Sequence, residues 1–263
     1  MNQYQTERRL SFCYGSLVVL LSVSVICIAI AYTHWQTTLD ACPGGYLENV
    51  SCGCIFFGVS TTQTFNGGHN SYCLYSIFAP LPILLYAIVM ALFHMYRVCI
   101  NNVGLYEDEK STTMEEIEGE AIVISSRSRA TPHNDAVIYC WIPTSLLATL
   151  FCIYNIIHAA IITSGFVKTC TQYRGYLVRD LRASGDHAAA IHHRLSCQSI
   201  YDFMDYLQKD QPGSRRGESI NTGLALTLAV IASWVCVALW IAVIVHTLQR
   251  AYRERNVLTC CGN

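Results

Sequence analysis

"FCYGSLVVLLSVSVICIAIAY", residues 12–32, carries no charged side chain over a length sufficient to cross a bilayer. A buried helix of a soluble protein can imitate one such block. This chain has three more, because 74–96, 137–167 and 220–248 are equally free of Asp, Glu, Lys and Arg. Composition agrees. Of 263 residues, 52% are hydrophobic and 13% charged, about half the roughly 25% charged fraction of an ordinary soluble domain. The expected fold is therefore an all-α membrane protein, a bundle of four transmembrane helices.

Arg8 and Arg9 precede the first block, and the segment after it has no Lys or Arg until the second, which puts the start of the chain in the cytosol. Ala29-Ile30-Ala31 has the small-x-small form of a signal cleavage site. The apolar run before it is longer than a usual signal core, which favours an uncleaved anchor. Four spans then divide the chain into a cytosolic N-terminus (1–11), a first span (12–32), extracellular loop 1 (33–73), a second span (74–96), a cytosolic loop (97–136), a third span (137–167), extracellular loop 2 (168–219), a fourth span (220–248) and a cytosolic tail (249–263). Loop 2 opposes the positive-inside tendency, with Lys168, Arg174, Arg179, Arg182, Arg194, Lys209, Arg215 and Arg216. Long loops cross with less regard to charge, so the first helix decides the orientation.

Cysteines cast a second vote. Of fourteen, six (Cys42, Cys52, Cys54, Cys73, Cys170 and Cys197) fall in the two loops assigned outside, and none falls between Asn101 and Asp135. That asymmetry fits an oxidising compartment on one side. Asn49-Val50-Ser51 is a glycosylation acceptor in the same loop. The expectation is a disulfide-stapled extracellular cap built from both loops, with room for a small β element. Cys170 with Cys197 is the natural pair within loop 2; the pairing of Cys42, Cys52, Cys54 and Cys73 stays open. Cys52-Gly53-Cys54 could bind a metal, but no second close pair with zinc-like spacing accompanies it, so staples are favoured and no metal or cofactor is expected.

Inside the predicted spans the ionisable side chains are His94, His158 and His246. His94 and His246 lie about a turn from the cytosolic ends, where neutral histidines are common. His158, three residues after Asn155, is a candidate for a polar core pair. His187, His192 and His193 read as surface histidines. With no acid or lysine in a span, no phosphate-binding glycine loop and no nucleophile-base signature, an enzyme is not expected.

Ala225, Ala229 and Ser233 recur every four residues on the fourth span, a small-residue ridge that admits close helix packing, inside the bundle or against a partner. Trp234 and Trp240 sit unusually deep beside it. Pro80, Pro82 and Pro143 imply kinks or unwound first turns. In the cytosolic loop, the acidic stretch Glu115 to Glu120 and the serine-arginine stretch Ser125 to Arg129 read as a solvated linker that phosphorylation could recharge. Arg250, Arg253 and Arg255 follow the last span, and Cys260 and Cys261 are candidate palmitoylation sites within reach of the bilayer.

"SGFVKTC" (164–170), "LSCQS" (195–199), "IASWVCVALWIAV" (231–243) and "YRERNVL" (252–258) resemble the corresponding parts of the transmembrane protein 179 family, and "ENVSCGC" (48–54) and "SYCLYSIF" (71–78) are similar to its first outer loop and second span. The resemblance covers most of the chain and implies four spans, cytosolic ends and a sequon in the first outer loop. By it, Cys42, Cys73, Cys170 and Cys197 match family cysteines. Cys52, Cys54 and a longer acidic cytosolic loop depart from the family's pattern.

These features fit a non-enzymatic plasma-membrane or secretory-pathway protein that binds the lipid bilayer and a larger membrane protein, not nucleic acid. The expected role is an auxiliary subunit that modulates or stabilises an ion channel or receptor. The alternatives are a claudin-like adhesion, junction or scaffold protein, of which Trp35 before the loop 1 cysteines is a partial echo, and a small transporter.

Overall fold

A computed structural model describes residues 3–38, 53–60, 65–99, 136–206 and 220–261. Helix α1 (Gln3–Thr38) leads to strands β1 (Cys54–Ser60) and β2 (Phe65–Gly68) and to helices α2 (Asn70–Phe78) and α3 (Pro80–Cys99). Then come α4 (Ala136–Asp180), α5 (Asp186–His193), α6 (Cys197–Tyr206) and α7 (Thr222–Cys261). Among the described residues, four helical stretches are long and apolar enough to cross a membrane: Gln5–Gln36, Asn70–Cys99, Pro143–Asp180 and Thr222–Tyr252. The protein is an integral, multi-pass membrane protein of the expected class.

The helices outrun the uncharged blocks that betray them. About 20 residues suffice to cross the hydrocarbon, yet α1 has 36 residues, α4 has 45 and α7 has 40. Residues 168–180, which the charge count placed in loop 2, are the last turns of α4; so Lys168, Arg174 and Arg179 stand on a helix. The second span starts at Asn70 rather than Leu74 and breaks at Ala79, where Pro80 opens α3. Proline suits that place, since the first turn of a helix has no use for its missing N–H. Pro143, by contrast, is accommodated inside α4.

By packing, the chain divides into two compact units. One comprises Leu17–Leu85 and Cys152–Ala238. Its core is a continuous apolar cluster in which Ile28, Ala31 and Trp35 of α1, Ile55 and Phe56 of β1, Phe65 of β2, Ile162, Tyr173 and Leu177 of α4, Ile200 and Tyr201 of α6, and Leu226 and Ala229 of α7 are buried. The small β element is therefore a wedge within the core rather than a flap over it. The other unit comprises Met1–Ser16, Tyr86–Phe151 and Leu239–Asn263. Its interior is an aromatic nest: Trp240 is fully buried with ring centroids 5.5 Å from Phe151, 6.1 Å from Tyr14 and 6.3 Å from Tyr86.

Candidate functional site

Strand β1 pairs badly with β2, and the misfit defines the site. Cys54 lies opposite Gly68 and Val59 opposite Asn66, so five steps along β1 match two along β2. The surplus residues bulge out of the ladder, and Phe57 takes a left-handed backbone with φ of 60°. An aromatic residue is disfavoured there by roughly 1 to 2 kcal/mol. Bulged backbone also loses its ladder partners, and each buried N–H or C=O left unpaired costs about 1 to 3 kcal/mol. Thr169 of α4 supplies them. Its hydroxyl donates to the Ile55 carbonyl at 2.8 Å and accepts the Gly58 N–H at 2.9 Å. One fully buried side chain thus clasps the bulge to the helix.

Several residues around Thr169 join the clasp. A Cβ at Gly165 would stand 2.7 Å from the Phe56 Cβ, so only glycine lets the strand lie this close to α4. Lys168 lies over the Phe57 ring at 5.7 Å, and the other side of the bulge is held by Tyr72 at 4.4 Å between centroids. Phe166 stacks on Tyr201 of α6 at 5.1 Å. Burial pushes the Tyr201 hydroxyl well above the usual phenol range, keeping it a donor to the Phe166 carbonyl at 3.2 Å. Phe65 meets Trp35 at 6.2 Å and Tyr173 at 5.2 Å, both edge-on.

Two disulfides close the arrangement among the described residues. Cys170 joins Cys197 and Cys54 joins Cys73, each with Cα atoms 5.5 Å apart, inside the span a disulfide bridges without moving backbone. The pair foreseen within loop 2 is present, and the loop 1 choice left open falls on Cys54 with Cys73. Ser196 caps α6 through the Ser199 N–H at 3.1 Å, Arg174 donates to the Leu195 carbonyl, and Arg179 to Ser60. Cys42, Cys52, Asn49 and the stretch 115–129 lie outside the described residues. Cys260 and Cys261 form the last turn of α7.

Of the two uses open to the small-residue ridge, packing inside the chain is the one the structure displays. Ala229 and Ser233 are buried within the chain, and Ala225 is half-buried. The Ser24 and Ser233 hydroxyls meet at 3.0 Å, with Ser233 donating to the Ala229 carbonyl at 2.8 Å. Small side chains admitted α1 rather than a foreign helix. Trp240 is likewise consumed in its aromatic nest. Trp234 alone of the five stays outward, 45% exposed, with its indole N–H donating to Thr163 at 3.0 Å. Asn155 and His158 do not pair with each other. Asn155 donates to the Ser233 carbonyl at 3.3 Å, whereas His158 Nε2 bonds the Ser76 carbonyl at 3.0 Å.

A second cluster, in the other unit, escaped the reading of uncharged blocks. Because α1 begins at Gln3, Glu7 lies on a membrane helix and is fully buried. Its Oε2 is 2.6 Å from His94 Nδ1, and its Oε1 is 2.9 Å from Arg97 and also paired with Arg250. Tyr14 stacks on His94 at 5.5 Å with rings 7° from parallel. One carboxylate therefore binds three cationic or donor groups from α3 and α7. Thr247 and Ser145 are buried in the same unit. Glu7 falls in phase with Leu10, Tyr14, Leu17 and Leu21, all buried, a helical spacing that marks its inward face in the sequence itself.

Among the described residues, no group of three or more His, Cys, Asp or Glu side chains is placed to hold a metal ion. Comparison with known protein families, with curated proteins and with solved structures finds no match.

Proposed function

We propose that this protein is a non-enzymatic auxiliary subunit that modulates or stabilises an ion channel or receptor in the plasma membrane or a secretory-pathway membrane. In this reading both termini are cytosolic, the clasped hairpin is extracellular, Asn49 carries a glycan beside it, and the chain belongs with the transmembrane protein 179 family. One observation carries the proposal: the hairpin is fixed by Thr169, by the close approach at Gly165 and by two disulfides. Such rigid fixing favours a surface offered to a partner, because a preordered surface loses little entropy on binding.

Within the bilayer we place that partner on the outward side of α7 around Trp234, where Leu228, Ile231 and Val235 are also exposed. A half-exposed tryptophan whose indole N–H is tied by a hydrogen bond is a good anchor for a neighbouring helix. Extraction in mild detergent followed by mass spectrometry tests the assignment. A recurring channel or receptor, weakened by Trp234→Ala while the Cys170–Cys197 bridge persists, supports it. Recovery only as a free monomer, or as self-assembled strands of the junction type, defeats it.

A further inference from the structure

The bulge of β1 meets two helices at the points where each passes between polar and apolar sequence. Along α4 the first charge after the uncharged run 137–167 is Lys168, and along the second span the apolar block 74–96 opens two residues after Tyr72. Phe57 touches both boundary residues: the Lys168 ammonium lies 5.7 Å from the centre of its ring, and the Tyr72 ring is 4.4 Å away. We propose that Phe57, Tyr72 and Lys168 lie in the phospholipid headgroup layer at the hairpin's end of the bundle, so that the bulge is held against lipid and not against water or another protein.

Exposure favours lipid. On α4 the exposed residues Ile153, Ile157, Ser164 and Lys168 succeed one another at steps of four and seven, the spacing of a single helix face. Val167 is exposed beside Lys168, and on α2 Leu74 and Phe78, four residues apart, are exposed as well. Apolar side chains bared in this number inside an uncharged run face hydrocarbon. Lys168 and Tyr72 therefore stand where lipid-facing surface ends on two separate helices, and Phe57 bridges them.

Chemistry favours the headgroup layer over the hydrocarbon beneath it and the water beyond it. Tyrosine collects in that layer because its ring is apolar and its hydroxyl wet. A lysine there lays its stem along apolar surface while its ammonium stays among polar headgroups, as Lys168 can do over Phe57. The strands CIFFGVS and FNGG bring no charged side chain to this level, and Val59 is exposed on the first of them. Irregular backbone so close to lipid must have its polar groups paired. Thr169 does that for the Ile55 carbonyl and the Gly58 N–H, so the clasp is what lets a bulge sit at this depth. The inference does not rest on the accessory-subunit assignment, and it confines any partner of the hairpin to what stands beyond the headgroups.

The test uses the full chain in phosphatidylcholine nanodiscs, with an indole introduced by Phe57→Trp and the fluorescence of the parent's four tryptophans subtracted. Three quenchers are compared: a phosphatidylcholine with a nitroxide on its headgroup, a phosphatidylcholine brominated near the ends of its acyl chains, and iodide in the water. The headgroup nitroxide is expected to quench the added indole roughly twofold or more beyond either of the others. Leu181→Trp, at an exposed position one residue past the end of α4 and about 20 Å along its axis from Lys168, should answer to iodide alone. Tyr72→Trp reads the same depth from α2 if Phe57→Trp does not fold, and retention of the Cys170–Cys197 bridge reports folding. Any other order overturns the proposal: dominant iodide leaves the bulge in water, dominant chain-end bromine sinks it into hydrocarbon, and silence towards all three means that protein covers it.

Discussion

Thr169 and Glu7 each sit fully buried on a long helix, and each satisfies several partners at once, yet they do so with different chemistry. Thr169 is neutral, its partners are backbone groups of one bulged strand, and the next residue along is a disulfide cysteine. Glu7 is charged, its partners are side chains of two helices far along the chain, and no disulfide is found in its unit among the described residues. A covalent staple already fixes geometry, so a weak neutral bond suffices beside it. Where no staple exists, a buried ion cluster can set register instead, because any other arrangement strands a charge in an apolar surrounding.

The contrast breaks first at Glu7. Glu7→Ala leaves His94 buried and Arg250 only 6% exposed without their carboxylate, and should destabilise the protein by about 3 to 5 kcal/mol in detergent unfolding. A loss under about 1 kcal/mol would mean that the cluster sets no register. Next comes the staple. Cys170 and Cys197 are 27 residues apart, a separation for which cross-linking is worth about 3.5 kcal/mol on loop-closure grounds. Cys170→Ser with Cys197→Ser should show that deficit, and reductant should lower the melting temperature of the parent protein far more than that of the variant. The smallest effect sharpens the comparison. Thr169→Val should cost about 1 to 3 kcal/mol and speed hydrogen exchange at the Gly58 amide, whereas Thr169→Ser should preserve most of the protection.

Much of this architecture is legible in the residues, and the illegible part has a consistent cause. Uncharged runs reveal spans because a bilayer punishes charge, and the six cysteines of the two outer segments, against none between Asn101 and Asp135, reveal the stapled region. Helix ends are not revealed that way. Lys168, Arg174 and Arg179 look like loop residues because charge marks where hydrocarbon ends, not where a helix ends. Glu7 is hidden for the same reason: the charge-free block starts at Phe12 and carries no information on which face the preceding turns present. The ridge of Ala225, Ala229 and Ser233 was visible, but small residues state only that a helix comes close, not whose helix it is. The bulge of β1 is hardest, since nothing local in Cys54 to Ser60 announces that its hydrogen bonds lie on a helix 111 and 114 residues away.

That distance sets a timetable for synthesis. A ribosome adds about 5 to 20 residues each second, so the bulged strand is made roughly ten seconds before the threonine that completes its hydrogen bonding. During that interval Phe56 and Phe57 have no α4 to rest on, and the left-handed Phe57 has Tyr72 beside it but not Thr169 or Lys168. The newborn hairpin is therefore a client for whatever shields apolar segments in its compartment, and the handover comes when the third crossing is inserted.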